Sequence, residues 1–167
     1  MRQNHALPVQ CDTLRIPSTF MSELSFAELG LDPAVLEAVS AVGYETPSPI
    51  QAQSIPALLA GNHLLGVAQT GTGKTAAFSL PLVHHLAHNM MHGRAVPRVL
   101  VLTPTRELAA QIDDNVKAYA KNVKVRTALI FGGVSQHKQV AQLRKGADVL
   151  VATPGRLLDL CNQGLLS

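Results

Sequence analysis

The stretch AQTGTGKT, from Ala68 to Thr75, has the residue types and spacing needed to hold a chain of phosphates. Gly71 and Gly73 permit a tight turn in which the successive backbone N–H groups, those of Thr70 and Thr72 among them, point inward. A helix opening near Lys74 adds the partial positive charge of its N-terminus. Lys74 then offers an ammonium group to the β and γ phosphates, and Thr75 is placed to hold Mg²⁺ through its hydroxyl. The general form of the motif has glycine where Ala68 stands, so the match departs from it there. A structural glycine turn is the competing reading, and it gives no reason for a strand before the turn and a helix after it.

Such a loop needs a scaffold, and the chain has the pattern of one. Asp32 and Pro33 mark a helix start, and Gly43 closes the segment AVLEAVSAVG as a C-terminal cap. Ser48 and Pro49 open a second helix, expected to be interrupted near Pro56 and to stop at Gly61. Short apolar runs follow at residues 63–68, 98–103, 125–131 and 148–153, and all four are strand-like. The second and the last are apolar enough to be buried on both faces. Helical stretches lie between them, around 74–90, 105–121 and 136–145, and another begins near Pro154. Alternation of this kind predicts an α/β fold: a parallel sheet with helices on both faces, binding ligands at the carboxyl ends of its strands. Two of those ends repeat a pattern. VLVLTPTR and VLVATPGR each run from a strand through Thr-Pro to an arginine, which places Thr103–Arg106 and Thr153–Arg156 on the sheet edge that also carries the phosphate loop.

Composition sets outer limits. The 167 residues are 47% hydrophobic, enough for one domain with a real core. Cys11 and Cys161 have no close partner and no metal-ligand spacing, which fits a reducing, cytoplasmic setting. No apolar block has the length of a signal peptide or a membrane span, so no membrane partner is expected. A net charge of +3 with 15% charged residues permits nucleic acid as a partner without arguing for it. Residues 1–20 read as a loose extension, 21–61 as a helical region and 62–167 as the phosphate-loop domain.

Taken in order, the motifs resemble those of the DEAD-box RNA helicases, specifically the first of their paired RecA-like domains. Ala68 is the residue this family uses in its phosphate loop. GYETPSPIQ, residues 43–51, looks like the family's Q motif, and Phe26 matches its isolated upstream aromatic. The resemblance implies that Gln51 reads the edge of adenine, that Phe26 stacks on the base and that Tyr44 belongs to the same pocket. An amide can pair with adenine N6 and N7. Without the resemblance, Phe26 reads as a core residue and Gln51 as a solvent-facing one. PTRELA, GG and TPGR are similar to the family's motifs Ia, double-glycine and Ib. They imply a track for the backbone of single-stranded or short duplex RNA, made by Pro104, Thr105, Arg106, Glu107, Gly132, Gly133, Thr153, Pro154, Gly155 and Arg156. Contacts of this kind read no base, so little sequence preference is expected. The plain alternative is that the Thr-Pro corners are strand-ending turns. Within the family, the second half looks most like the RhlE-type bacterial group.

The resemblance also implies ATP and Mg²⁺ as cofactors, ADP as product and RNA unwinding as the activity of the whole enzyme. Hydrolysis needs an acid at the end of a buried strand near the loop. None of the eleven Asp and Glu residues stands there: Glu107 lies in the RNA-track motif, Asp113 and Asp114 follow on a helix, Asp148 begins a strand, Asp159 sits on the last helix and the others precede the loop. In the family the Asp-Glu-Ala-Asp motif, a Ser-Ala-Thr motif and a second RecA-like domain come after the segment matching TPGRLLDLCNQGLLS. The chain is therefore expected to be an incomplete domain, inactive in hydrolysis by itself and marginally stable or prone to aggregate through unpaired strand edges. The alternative is a non-catalytic product that binds nucleotide or RNA weakly. A phosphate-loop NTPase of another kind, such as a transporter ATPase, leaves Gln51, PTRELA and TPGR unexplained.

One further cluster stands out. His84, His88 and His92 recur at helical spacing, which can bind a transition metal. They lack an acidic or cysteine partner in the sequence pattern, so a solvated helix face is the expected reading.

Overall fold

The computed structural model describes residues 24–89 and 96–166; residues 1–20, with Cys11, lie outside this range, as does His92. A turn of 3-10 helix, Phe26–Leu29, leads into α1 (Pro33–Ala41) and α2 (Pro49–Leu59), followed by α3 (Lys74–His88). Then β1 (Val99–Leu102), α4 (Arg106–Tyr119), β2 (Thr127–Ile130), α5 (Gln136–Lys145), β3 (Val149–Ala152) and α6 (Pro154–Asn162) alternate. The strands form a parallel sheet in the order β1-β3-β2, with Val99 and Thr127 both opposite Val149.

The helix starts follow the side chains that begin them. The Asp32 carboxylate accepts from the N–H of Ala34 at 2.8 Å, satisfying a first-turn donor of α1. At its other end Gly43, at φ 82°, takes the left-handed turn, and the N–H of Tyr44 donates to the carbonyl of Val39. Ser48 and Gln51 make a reciprocal capping box at the start of α2. That helix runs through Pro56 without interruption, contrary to expectation. Proline there removes one helical bond, but its ring is on the exposed side while Ala52, Ser54 and Ile55 are buried on the other. The packing of that face offsets the cost.

Strand β3 is buried throughout and sits between two cores. Val149 and Val151 join Val35, Ile55, Leu80, Val83 and Val116 on one face, while Leu150 and Ala152 join Ala128, Ile130, Leu143 and Leu160 on the other. Helices therefore cover both faces, and the N-terminal helices share their core with the sheet. Strand β1 differs from the expectation of two-sided burial. Leu100 and Leu102 are about half exposed, at 52% and 54%, because β1 is the sheet edge and no helix covers its second face among the described residues.

The expected strand at residues 63–68 does not form. It makes no ladder bonds, and Leu65 and Val67 stay 78% and 87% exposed. Backbone groups of a strand need a neighbouring strand, and the sheet of described residues ends at β1 without reaching this segment.

The histidines hold α1 against α3. The N–H of Asp32 donates to Nδ1 of His84 at 3.0 Å, and Nε2 of His88 lies 3.3 Å from the Asp32 carboxylate. Among the described residues, no group of His, Cys, Asp or Glu is arranged to hold a metal ion. Accepting from Asp32 requires Nδ1 to be unprotonated. Burial holds the His84 ring below its ordinary pKa, helped by His88 and His85 and opposed by Asp32. The unfolded chain therefore takes up a proton here more readily than the folded one, so stability is lost as pH falls below the ordinary histidine value of about 6.5. The midpoint of thermal unfolding is expected to drop between about pH 7.5 and about pH 5.5, and His84→Gln to flatten that slope. An unchanged slope in the variant would assign it to another group.

Candidate functional site

The phosphate loop follows directly on the exposed segment 63–68 and ends at the first turn of α3. Gly71 and Gly73 both have positive φ, 79° and 85°, conformations that glycine adopts without strain. Gly73 is the N-cap of α3, so Lys74 and Thr75 occupy the first helical positions. The Lys74 ammonium donates to the carbonyls of Ala68 and Gln69, the latter at 3.0 Å, and the Thr72 hydroxyl donates to the carbonyl of Gln69 at 2.8 Å. These bonds hold the loop curled around the lysine. No carboxylate among the described residues is hydrogen-bonded to it.

The helix start of α2 braces the loop from behind. The Ser48 hydroxyl donates to the carbonyl of Thr72 at 2.7 Å, and Nε2 of Gln51 donates to the carbonyl of Gly73 at 3.3 Å. Oε1 of Gln51 accepts from the N–H of Ser48 at 2.8 Å. Gln51 is 5% exposed, not solvent-facing. Each of its amide atoms keeps unused capacity, one N–H on Nε2 and one lone pair on Oε1. The sequence marks Ser48 as a helix start but not as a site residue, and the Ser-x-x-Gln spacing of a capping box accounts for the first role only.

Phe26 is buried in the core, and its ring stacks on that of Tyr44 at a centroid distance of 6.1 Å. Both line a cavity of about 340 Å³, together with Leu36, Val39 and Glu45. That size lies at the small end of ligand clefts, about 300–1,000 Å³. Neither Gln51 nor any residue of the phosphate loop lines this cavity. It adjoins the Q-motif loop and stands apart from the phosphate loop.

The three expected backbone-binding motifs come together at the carboxyl ends of the strands. Thr103 follows β1, and its N–H donates to Ala152; Thr153 follows β3, and its N–H donates to Ile130 of β2. Thr105 caps α4 by accepting from the N–H of Leu108, and Pro104 precedes it. Pro154 and Gly155 open α6. A Cβ on Gly133 would lie 3.5 Å from Nη1 of Arg106, which puts motif Ia beside the double glycine, Gly132 and Gly133. Arg156 donates to the carbonyl of Val134 at 3.1 Å, which ties motif Ib to the same loop. The two arginines differ in availability. The Arg106 side chain is 59% exposed and paired with Glu107, whereas that of Arg156 is 14% exposed and engaged by Val134, Gln139 and Asp159. Arg156 therefore shapes the loop, and Arg106 presents charge at its rim.

Comparison with known proteins agrees with this arrangement. A family model described as DEAD/DEAH box helicase matches residues 48–167. The chain belongs to this family. It is 48% identical over 145 residues to ATP-dependent RNA helicase DeaD of Escherichia coli (strain K12), an alignment covering 86% of this chain and 22% of that protein. It is 44% identical over 154 residues to DEAD-box ATP-dependent RNA helicase 52A of Oryza sativa subsp. japonica, covering 85% and 26%. The crystal structure of a DEAD box protein from the hyperthermophile Methanococcus jannaschii superposes with a TM-score of 0.76 at 38% identity, over 86% of this chain and 38% of that one. The chain thus spans about a quarter of the length of the curated relatives it matches. Its fold is that of the N-terminal RecA-like domain. The finer likeness to the RhlE-type group stays an expectation, since the bacterial relative here bears the name DeaD.

Proposed function

We propose that this chain is the adenine-nucleotide-binding and RNA-contacting N-terminal part of an ATP-dependent RNA helicase that remodels short RNA duplexes, and that it does not hydrolyse ATP by itself. The observation that carries the reading is the brace between the Q motif and the phosphate loop. Ser48 and Gln51 hold the carbonyls of Thr72 and Gly73 while Gln51 keeps one donor and one acceptor free. That remaining pair matches the donor and acceptor that adenine N6 and N7 present, whereas guanine presents two acceptors there, O6 and N7, and leaves Oε1 without a donor. Tyr44, partly exposed beside the Q-motif loop with Phe26 stacked behind it, would offer a ring face to the base.

Lys74 would neutralise the β and γ phosphates, and Thr75 would hold Mg²⁺ through its hydroxyl. When bound, Mg²⁺ shields the phosphate charge. Thr105, Arg106, the double glycine and Thr153 would hold successive phosphates of single-stranded RNA without reading bases. The clamp on RNA would be completed by a second RecA-like domain, in the cytoplasm. No helix among the described residues is long and apolar enough to cross a membrane.

Displacement of a fluorescent ADP analogue tests the reading. ADP should compete about tenfold better than GDP, the value of one correctly paired amide. ATP incubated with the chain and RNA should release no phosphate above background. Equal competition by GDP sinks the adenine assignment, and RNA-stimulated phosphate release sinks the claim that hydrolysis needs acids this chain does not supply.

A further inference from the structure

Phe26, Tyr44 and Tyr119 form a ladder of rings leading from the cavity into the core. The first pair is stacked with 18° between planes, and the second is tilted, with centroids 6.3 Å apart. At the inner end the hydroxyls of Tyr44 and Tyr119 are 3.2 Å apart, joining residues 75 positions distant in sequence. Tyr119 is the last residue of α4 and is 2% exposed, whereas Tyr44 sits on the loop after α1 and is 37% exposed. A phenol buried that deeply needs a partner, and the structure gives it Tyr44. Burial and this bond push the Tyr119 phenol well above its ordinary pKa, so it remains protonated in any working buffer.

We propose that Tyr119 is a positioning residue for the base pocket: its hydroxyl fixes the ring of Tyr44, and through it the Phe26–Tyr44 wall that the base meets. The helix cap at Gly43 sets the backbone of Tyr44 but leaves its side-chain torsions open. A partly exposed ring on a loop would otherwise sample several rotamers, and ordering it on binding costs affinity. Tyr119 cannot move in the same way, because α4 buries it beside Val116 and Ala120. The bond therefore passes the rigidity of the core to the pocket wall. This rests on the adenine-binding reading above.

Tyr119→Phe and Tyr44→Phe each delete one hydroxyl and keep the ring. In displacement of a fluorescent ADP analogue from the full chain, each should weaken the binding of ADP and of GDP by the same factor, about fivefold, the worth of a net hydrogen bond, because a ring face meets either base. The double variant should be no weaker in ADP than either single one, because all three lack the same bond. Thermal unfolding run alongside separates packing from positioning. Variants that melt earlier yet bind ADP as tightly as the native chain overturn the inference and assign Tyr119 to the core alone. An unmodified chain that binds both nucleotides equally overturns the adenine reading, and this inference with it.

Discussion

Asp148→Ala is expected to destabilise the domain markedly. The Asp148 carboxylate is 6% exposed and lies at the entry of β3. Oδ1 accepts from Nη2 of Arg98 at 3.1 Å, and Oδ2 accepts from the N–H of Arg126 at 3.0 Å with the Arg126 guanidinium at 3.7 Å. Arg98 precedes β1 and Arg126 precedes β2, so one carboxylate pins the starts of all three strands. Removing the carboxylate takes the acceptor from the backbone N–H of Arg126, a loss of about 1–3 kcal/mol for a buried polar group, while the two guanidiniums, 25% and 47% exposed, keep access to solvent. Total stability of a domain is about 5–15 kcal/mol, so the loss is a large share of it. Asp148→Asn keeps the size and part of the bonding and should cost less. Urea unfolding of the three proteins gives the ranking directly. A loss below about 1 kcal/mol for alanine would put this cluster with exposed ion pairs, whose worth is small.

The role of Asp148 also marks the boundary of what spacing along a chain can tell. Sequence pattern places it at the start of a strand, which excludes it as a hydrolytic acid, but its partners Arg98 and Arg126 are 50 and 22 positions away. Local signals carried well. The Asp-Pro and Ser-Pro helix starts, the glycine cap at Gly43 and the helix that opens at Lys74 rest on interactions within a few residues, and the structure has them. Strand β3 was legible because it is central and fully buried, so its continuous apolar run has one meaning.

The same kind of run misled at residues 63–68. A short apolar run states a need for burial and not the identity of the neighbour that supplies it. Pro56 misled in the opposite direction, since a local breaker was outweighed by the buried face of α2. Gln51 was legible as a site residue through family resemblance alone; its own surroundings suggested an exposed helix position. The bond from Tyr44 to Tyr119 had no sequence signal, because two tyrosines on separate elements meet only once α1 and α4 have packed on the same core.

Gly73→Ala should weaken nucleotide binding severely, and Gly71→Ala much less, although both glycines have nearly the same backbone angle. At φ 79° and 85° either alanine carries the strain of a left-handed residue, about 1–2 kcal/mol. The difference lies in what a methyl group would meet. At Gly71 nothing lies within 4 Å. At Gly73 the new Cβ would overlap Nε2 of Gln51, approach its Cδ to 3.1 Å and Oγ of Ser48 to 3.2 Å. The Gln51 side chain is flexible in principle, but its amide is held at both ends by Ser48 and Gly73, so moving it breaks the brace as well as the pairing proposed for adenine. Each polar group left unsatisfied costs about 1–3 kcal/mol. Together with the strain this predicts a loss in ADP affinity of about 100-fold or more for Gly73→Ala, against about tenfold for Gly71→Ala. Calorimetric titration of ADP into both variants measures the gap. Equal losses would mean that the loop responds to backbone strain alone, and that the contact of Gly73 with Gln51 and Ser48 plays no part in holding the nucleotide.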